Sequence, residues 1–491
     1  MGKSKKDGKI FTPRDTVWRM LGLLGYYALR RKEDGTVYWP NTRKHIIDNS
    51  CGDGAFLVKI VDFYCHNVGI TTRRNKRELK AMLETYIHGI ELDPVEYEKC
   101  LRNLDRVAAL NGLKDVKWDI QNRDALTCHD YDRKMDFVVA NPPYIRTHDL
   151  ECDLTGYDFT AEGMKDIYLA FYELGFRMLN ETGKMCYITP SSWFTSLAGQ
   201  KMRDYVIENR NLEYVEDYGH YQLFENATTY VAITIFGKER VDTVKHVRMD
   251  RTEDDDGFWE GVTYIPFDDM AIDGKFYFGT PNQLSQMREI VEYGKGTKRG
   301  ERDFQVKNGY ATLADGIFIE GDVPWTAGDK YVIPATKAST LKWDWCIFPY
   351  DDEGNLVTEE ELEKNAPMEY KLLSENKDKL LERATDEPWY AYGRTQAIKD
   401  TFKEKWAVKS TIKDLSEPIC KRVPSGTGVY GGLYILTEHP EGLKALETQD
   451  FMNYVKMLGK YKSGGYYTFS SKELENYLNW SYGKEIKKAL V

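Results

Sequence analysis

The sequence predicts an α/β protein: a doubly wound parallel sheet covered on both faces, followed by a C-terminal mixed α+β domain. Through roughly the first 240 residues, short apolar runs alternate with segments of helical spacing, the pattern of strand–helix–strand units. Small or acidic residues cluster where those strands end. Beyond a transition between about residues 240 and 300 the alternation stops, and Gly, Trp, Tyr and Lys are scattered among turn signals at Gly328-Asp329, Glu353-Gly354-Asn355 and Ser425-Gly426-Thr427-Gly428. The 491 residues are enough for two or three domains at roughly 150 residues each. A catalytic domain is expected over 1–280 and a second domain over 281–491.

The elements follow in order. Val17, Leu21, Leu24 and Ala28 give 16–29 a helical face. His45-Ile46-Ile47-Asp48 is a short strand, 49–54 a small-residue turn and 55–64 a helix. The polar stretch 71–80 reads as a surface insertion. A second strand, 86–91, ends on an acid, and 94–111 is a helix with Pro94 in its first turn. Residues 116–120 and 136–140 are the third and fourth strands. Ile167, Ala170, Phe171, Leu174 and Met178 form an apolar helical stripe. Gly183-Lys184 then turns the chain into a fifth strand at 185–190, with later strands at 212–218 and 230–236.

A hydrophobic content of 42% with 30% charge is that of an ordinary globular protein. No apolar run approaches the roughly 18 residues of a membrane span, and the basic start, Met1 to Lys6, has no signal-peptide core behind it. A cytoplasmic protein without a membrane partner is expected. The cysteines form no Cys-x-x-Cys pair, and Cys65-His66 and Cys128-His129 are isolated, so neither a disulfide scaffold nor a metal site is expected. The net charge of −10 does not exclude nucleic acid, because duplex binding needs only a local basic face. Acidic runs at 253–256 and 359–361 are balanced by basic ones at 295–299, 403–405 and 421–422.

The most informative segment is Asn141-Pro142-Pro143-Tyr144, after the fourth strand. Consecutive prolines forbid strand or helix and keep the chain stiff and extended. One short loop thus fixes a side-chain amide, a backbone carbonyl and an aromatic ring. An exocyclic amino group on a planar ring needs two acceptors and a stacking surface, which these supply. Upstream, Asp48 leads into a turn with Gly52 and Gly54, where the backbone can approach a ligand at a helix N-terminus. A third glycine is missing, which disfavours NAD or FAD, and no phosphate-binding Gly-Lys-Ser/Thr loop is present. Glu91 ends the second strand, where an acid can take ribose hydroxyls. Asp124, with Asp119 as competitor, follows the third strand and can accept from an adenine amino group. Asp48, Glu91, Asp124 and Asn141 fall after successive strands, the end at which open α/β sheets bind ligands.

With these parts in this order, the chain resembles the N6-adenine DNA methyltransferases that use S-adenosylmethionine, in particular the gamma class of TaqI-like enzymes of type II restriction–modification systems. The likeness covers about residues 8–240. It implies a Rossmann-like methyltransferase sheet, with Thr12 and Pro13 (of Phe11-Thr12-Pro13) bordering the methionine end of the cofactor. Asp48 with Gly52 and Gly54 would hold the methionine and sugar, Glu91 the ribose and Asp124 the adenine. Asn141, Pro142, Pro143 and Tyr144 would be catalytic. Asn141 and the Pro142 carbonyl would accept from the target amino group, Tyr144 would stack on a flipped-out base, and Phe224 would clamp its other face. Lys165 to Phe171 and Thr189 to Phe194 look like neighbouring family elements. Asn49, where many relatives carry Pro, departs from the pattern.

The second half looks like a target-recognition domain, at Asn308 to Phe318, Trp389 to Gln396 and Lys462 to Tyr467. Arg394 and Gln396 are of the types that read guanine and adenine edges. The resemblance implies double-stranded DNA as substrate and a separate cognate restriction endonuclease as companion. The alternatives are a methyltransferase acting on a protein glutamine or an RNA base, or a non-catalytic DNA-binding subunit with this fold.

Overall fold

Ile46–Asp48 forms strand β1, interior to its sheet, and all three residues are buried. A strand covered on both faces carries no polar alternation, which is why this segment reads as a bare apolar run. The computed structural model describes residues 12–68, 73–145, 154–163, 166–224, 229–251, 258–298, 302–319 and 329–489. The basic N-terminal start, Phe11, residues 71–72, Lys165, 225–227, the acidic run 253–256, Arg299 and Gly328 lie outside them. The chain divides into two compact units, Met1–Leu284 and Ser285–Val491.

In the first unit, β1 is joined by β2 (Ile87–Glu91), β3 (Asp119–Asn122), β4 (Met135–Ala140), β5 (Leu179–Pro190), β6 (Leu212–Asp217), β7 (Val231–Phe236), β8 (Thr243–Arg251) and β9 (Phe258–Pro266). They make one nine-stranded sheet in the order β9-β8-β6-β7-β5-β4-β1-β2-β3. The helices α1 (Arg14–Leu23), α2 (Ala55–Asn67), α3 (Arg73–Tyr86), α4 (Pro94–Leu110), α5 (Ile167–Met178) and α6 (Gln200–Asn209) accompany it. From β1 the chain builds outward to β2 and β3, then crosses to β4 on the other side of β1. The carboxyl ends of β1 and β4 therefore flank the switch point of the sheet, where such folds open a crevice.

Several expectations change. The sheet is not wholly parallel: β7 runs antiparallel to β5 and to β6, and β9 antiparallel to β8. Buried antiparallel strands have the same continuous apolar composition as parallel ones, so the sequence could not separate them. The third strand lies at 119–122 rather than 116–120. Gly183-Lys184 is no turn but part of β5, whose register against β4 shifts there. The supposed insertion at 71–80 is mostly the amphipathic α3, which buries Leu79 and Leu83; its excess of Lys and Arg masks that sparse stripe. The first helix ends at Leu23.

The second unit contains β10 (Phe304–Asn308), β11 (Val332–Lys337), β12 (Lys342–Ile347), β13 (Lys405–Val408), β14 (Cys420–Val423), β15 (Gly428–Tyr430) and β16 (Leu433–Thr437). They form a four-stranded sheet, β10-β16-β13-β14, and a three-stranded one, β12-β11-β15. The unit also carries helices α7 (Glu359–Asn365), α8 (Pro367–Glu375), α9 (Gln449–Met457) and α10 (Ser471–Ala489). Its core gathers Tyr310, Tyr392, Tyr430, Tyr434 and Phe348. The edge strand β10 is capped from the side by α10. Asn479 accepts from Phe304 N–H (3.1 Å) and donates to its carbonyl (2.9 Å), and Glu475 accepts from Val306 N–H (2.8 Å). Exposed ladder groups invite intermolecular pairing, and these side chains occupy them.

Gly175 of α5 sits where that helix touches β5. A Cβ there would meet Met185 Sδ at 2.2 Å and Tyr187 Oη at 2.8 Å. Helix propensity favours Ala over Gly by about 0.5–1 kcal/mol, whereas overpacking a tight core costs about 1–3 kcal/mol. Gly175→Ala is therefore expected to lower the urea unfolding midpoint rather than raise it.

Candidate active site

The turn after β1 and the loop after β4 meet at the switch point. β1 buries Asp48, and the chain turns through Asn49 and Ser50 to Gly52 (φ 54°) and Gly54 (φ 90°), left-handed conformations that glycine adopts without strain. Gly54 precedes α2, whose first N–H groups look into the turn. The two glycines serve different ends. A Cβ on Gly52 would meet nothing within 4 Å, whereas one on Gly54 would stand 2.8 Å from Cys100 Sγ of α4. Gly52 borders open space and Gly54 permits close helix packing.

Glu91, at the end of β2, bridges the same turn. Its Oε2 accepts from Gly52 N–H (2.7 Å) and its Oε1 from Asp93 N–H (2.8 Å). Each carboxylate oxygen keeps a second acceptor position. Asp48 Oδ1 accepts from Ser50 N–H at 3.2 Å. Burial pushes the Asp48 carboxyl up to about 8, with the charges of Glu91 and Asp53 adding to the shift against the Ser50 hydrogen bond. Asn49 is fully buried; its Nδ2 donates to Tyr187 Oη (2.6 Å), while Oδ1 has no hydrogen-bond partner among the described residues. Asp124 caps the short helical turn Ala125–Thr127 by accepting from Leu126 N–H at 2.9 Å. Asp119, its competitor, pairs with His88 Nδ1 at 2.6 Å.

At the Asn-Pro-Pro-Tyr loop the side chains bond to one another and to neighbouring elements. Asn141 Nδ2 donates to Thr12 Oγ1 (3.1 Å), and Tyr144 Oη donates to Asn141 Oδ1 (2.6 Å), with the Ile188 carbonyl of β5 a second acceptor at 2.9 Å. Ser50 Oγ donates to the Asn141 carbonyl (3.4 Å), which ties the glycine turn to this loop. Burial, reinforced by the phenols of Tyr172 and Tyr168, holds the Tyr144 hydroxyl well above its ordinary range, so it remains a neutral donor. Beyond it, Ile145 accepts from Ile167 N–H at the start of α5 (3.1 Å). Pro142 is buried, Pro143 is half-buried, and Pro13 immediately precedes α1.

The predicted residues thus divide. Thr12, Asp48, Gly52, Glu91, Asn141 and Tyr144 belong to one bonded constellation, which Ser50 joins unforeseen; only its place in the turn pointed to it. Phe224 is a core side chain, 4% exposed, its ring 6.4 Å from that of Tyr144. It is thus no open clamp in this conformation, because the apolar cluster around Tyr144 encloses it. In the second unit Arg394 is exposed and its backbone pairs with Ala311, while Gln396 Nε2 is held by the Gly309 carbonyl at 2.8 Å. Among the described residues no metal-binding cluster occurs and no helix is long and apolar enough to cross a membrane.

This arrangement offers carboxylates about a glycine turn with open space over Gly52, a set suited to the hydroxyls and ammonium of a nucleoside-linked amino acid. The Asp48 shift also makes a prediction about stability. Its folded value of about 8 exceeds the ordinary 3.8, so the native state binds the extra proton between those pH values. The stability owed to neutral Asp48 is present below about pH 4 and is lost as pH rises through 8. Thermal melting of the ligand-free protein should fall between pH 6 and 8, and Asp48→Asn should flatten that fall.

Residues 62–224 match the family described as the Eco57I restriction-modification methylase. The matched stretch takes in Glu91, Asp124 and Asn141 to Tyr144. The type II restriction enzyme and methyltransferase RM.Eco57I of Escherichia coli is 24% identical over 444 residues, spanning 72% of this chain and 44% of that protein. The type II methyltransferase M.BstVI of Geobacillus stearothermophilus is 28% identical over 396 residues, spanning 71% and 68%. The chain thus spans less than half the length of the first relative and about two thirds of the second. Among solved structures, the type IIL restriction-modification enzyme MmeI, in complex with DNA, superposes with a TM-score of 0.62 at 11% identity, over 94% of this chain and 65% of that one. That likeness establishes a shared fold.

Proposed function

We propose that this chain, which carries an Eco57I-type restriction–modification methylase domain, is a site-specific DNA methyltransferase that modifies N6 of adenine with S-adenosylmethionine as donor. The single observation that carries the reading is the Asn141 carboxamide, fixed at the sheet's switch point beside an acid-rich glycine turn. When bound, the donor supplies an electrophilic methyl group on a sulfonium. Glu91 would take the ribose hydroxyls, Asp48 and the turn the amino-acid end, and Asp124 the adenine.

An aromatic amino group is a weak nucleophile because its lone pair is delocalised into the ring. Asn141 Oδ1 and the Pro142 carbonyl accept its two hydrogens, favouring a pyramidal nitrogen whose lone pair is free for in-line attack. Positioning and fixed dipoles supply the acceleration. Thr12 orients the amide, because Nδ2 bonded to Thr12 Oγ1 turns Oδ1 the other way. The Tyr144 hydroxyl donates to that oxygen, and with Ile188 as an alternative acceptor it can release Oδ1 without becoming unsatisfied. Its ring would stack on a base extruded from the duplex, since N6 is unreachable inside the helix. The second unit would select the sequence, with Arg394 as a base-reading candidate. Modification would protect DNA from a cognate endonuclease residing in a separate protein.

The deciding experiment incubates the protein with duplex DNA and methyl-labelled donor, then digests the DNA and identifies the labelled nucleoside. N6-methyladenine is expected. N4-methylcytosine would overturn the base assignment, and label found only in protein or RNA would overturn DNA as substrate. Asn141→Ala should abolish transfer while calorimetry still detects donor binding. Tyr144→Ala, which removes the stacking ring, should lower turnover about tenfold, the equivalent of about 1.4 kcal/mol of stacking. Thr12→Val should act in the same direction, whereas Thr12→Ser should stay near the parent rate.

A further inference from the structure

We propose that the hairpin formed by β11 and β12 in the second unit docks on duplex DNA, with its lysines on phosphates and Trp343 against the adjoining sugars or bases. This rests on the reading of the chain as a DNA-modifying enzyme. β12 is an edge strand of its sheet. Its first residues, Lys342 and Trp343, are exposed, and Trp343 retains 55% of its surface in solvent. Trp345 meets it edge-on at 5.7 Å, which sets the ring's attitude. An exposed tryptophan on an edge strand is an aggregation liability that proteins normally remove.

The charges point the same way. Lys337 and Lys342 stand directly opposite each other in the hairpin, a like-charge placement that by itself disfavours strand pairing. A polyanion lying across the hairpin converts that cost into attraction. Lys421 of β14 reaches the turn as well, donating to the Leu341 carbonyl at 3.2 Å. On that face the cross-strand row passes from Lys342 through Lys337 to the buried Tyr430. Lys337 lies over the Tyr430 ring, 5.7 Å from its centroid. Asp344 shares the lysine face of the hairpin, and Lys342 has no ion pair among the described residues. Trp343 lies between Lys342 and Asp344 and so faces the other side of the hairpin; cations on one face of a hairpin end and an exposed ring on the other fit the walls of a nucleic-acid groove better than an apolar protein surface.

The test measures binding of the full chain to a fluorescein-labelled random-sequence duplex of about 30 base pairs across a salt series. Lys342→Ala should reduce the log–log salt slope by about one and weaken binding about fivefold near 0.15 M salt, and Lys342→Arg should restore both. Trp343→Ala should weaken binding about tenfold with the slope unchanged. Donor affinity and the unfolding midpoint should not move in any variant. If the parent binds the duplex and these variants bind equally well, the hairpin assignment falls while the DNA reading stands. If the parent binds no duplex, the functional reading itself falls. If Trp343→Ala instead dissociates an oligomer in sedimentation, with duplex affinity per protomer unchanged, the face belongs to a second copy of the chain and the proposal is overturned.

Discussion

A carboxamide has a donor end and an acceptor end, and in a half-buried loop both need partners. At Asn141 the partners come from three distant parts of the chain: Thr12 ahead of α1, Tyr144 three residues on, and, through that tyrosine, the Ile188 carbonyl of β5. Ser50 adds a bond from the glycine turn to the Asn141 backbone. The orientation of one amide thus depends on correct docking of α1, β1, β4 and β5. Each bond is worth only about 1 kcal/mol net, but leaving a buried donor or acceptor unmade costs about 1–3 kcal/mol. Wrong orientations are therefore penalised more than the right one is rewarded.

The same logic of satisfied buried polarity recurs elsewhere. Glu216 of β6, fully buried, accepts from Arg19 (2.6 Å), Tyr214 (2.6 Å) and Tyr218 (2.7 Å), which joins α1 to the far half of the sheet. In the second unit the buried Lys405 donates to the carbonyls of Asp400, Thr401 and Lys403 at 2.8–2.9 Å. Those three bonds stabilise the charged form against a burial that draws its ammonium down to about 8, and they brace the loop that follows Arg394 and Gln396. One buried acceptor with no hydrogen-bond partner among the described residues, Asn49 Oδ1, belongs to the turn expected to meet a ligand.

Much of the fold was legible because its strands are short apolar runs between helices of clear period. β2, β4 and α5 fall where the sequence places them, and the sites after β1, β2 and β4 follow from strand ends alone. What misled the reading has physical causes. A helix as polar as α3 buries too thin a stripe to stand out. Strand direction leaves no mark on composition when both faces are buried, so β7 read as parallel. Residues typed as ligand contacts by chemistry also have local duties that no sequence pattern announced: Asp124 caps a turn, Gln396 braces a backbone carbonyl and Gly54 makes room for Cys100.

By itself the sequence determined that an amide, a rigid double proline and an aromatic ring share one loop, and that acids and glycines end the strands before it. Those are local facts of covalent order, stiffness and periodicity. Only the tertiary structure decided that Thr12 and Tyr144 hold opposite ends of the Asn141 amide, that Glu91 closes on Gly52, and that Asp48 is buried deeply enough to keep its proton near neutrality. Hydrogen-bond partners 39 to 129 positions apart are chosen by strand order in the sheet, and strand order is set by long-range packing that no local pattern encodes.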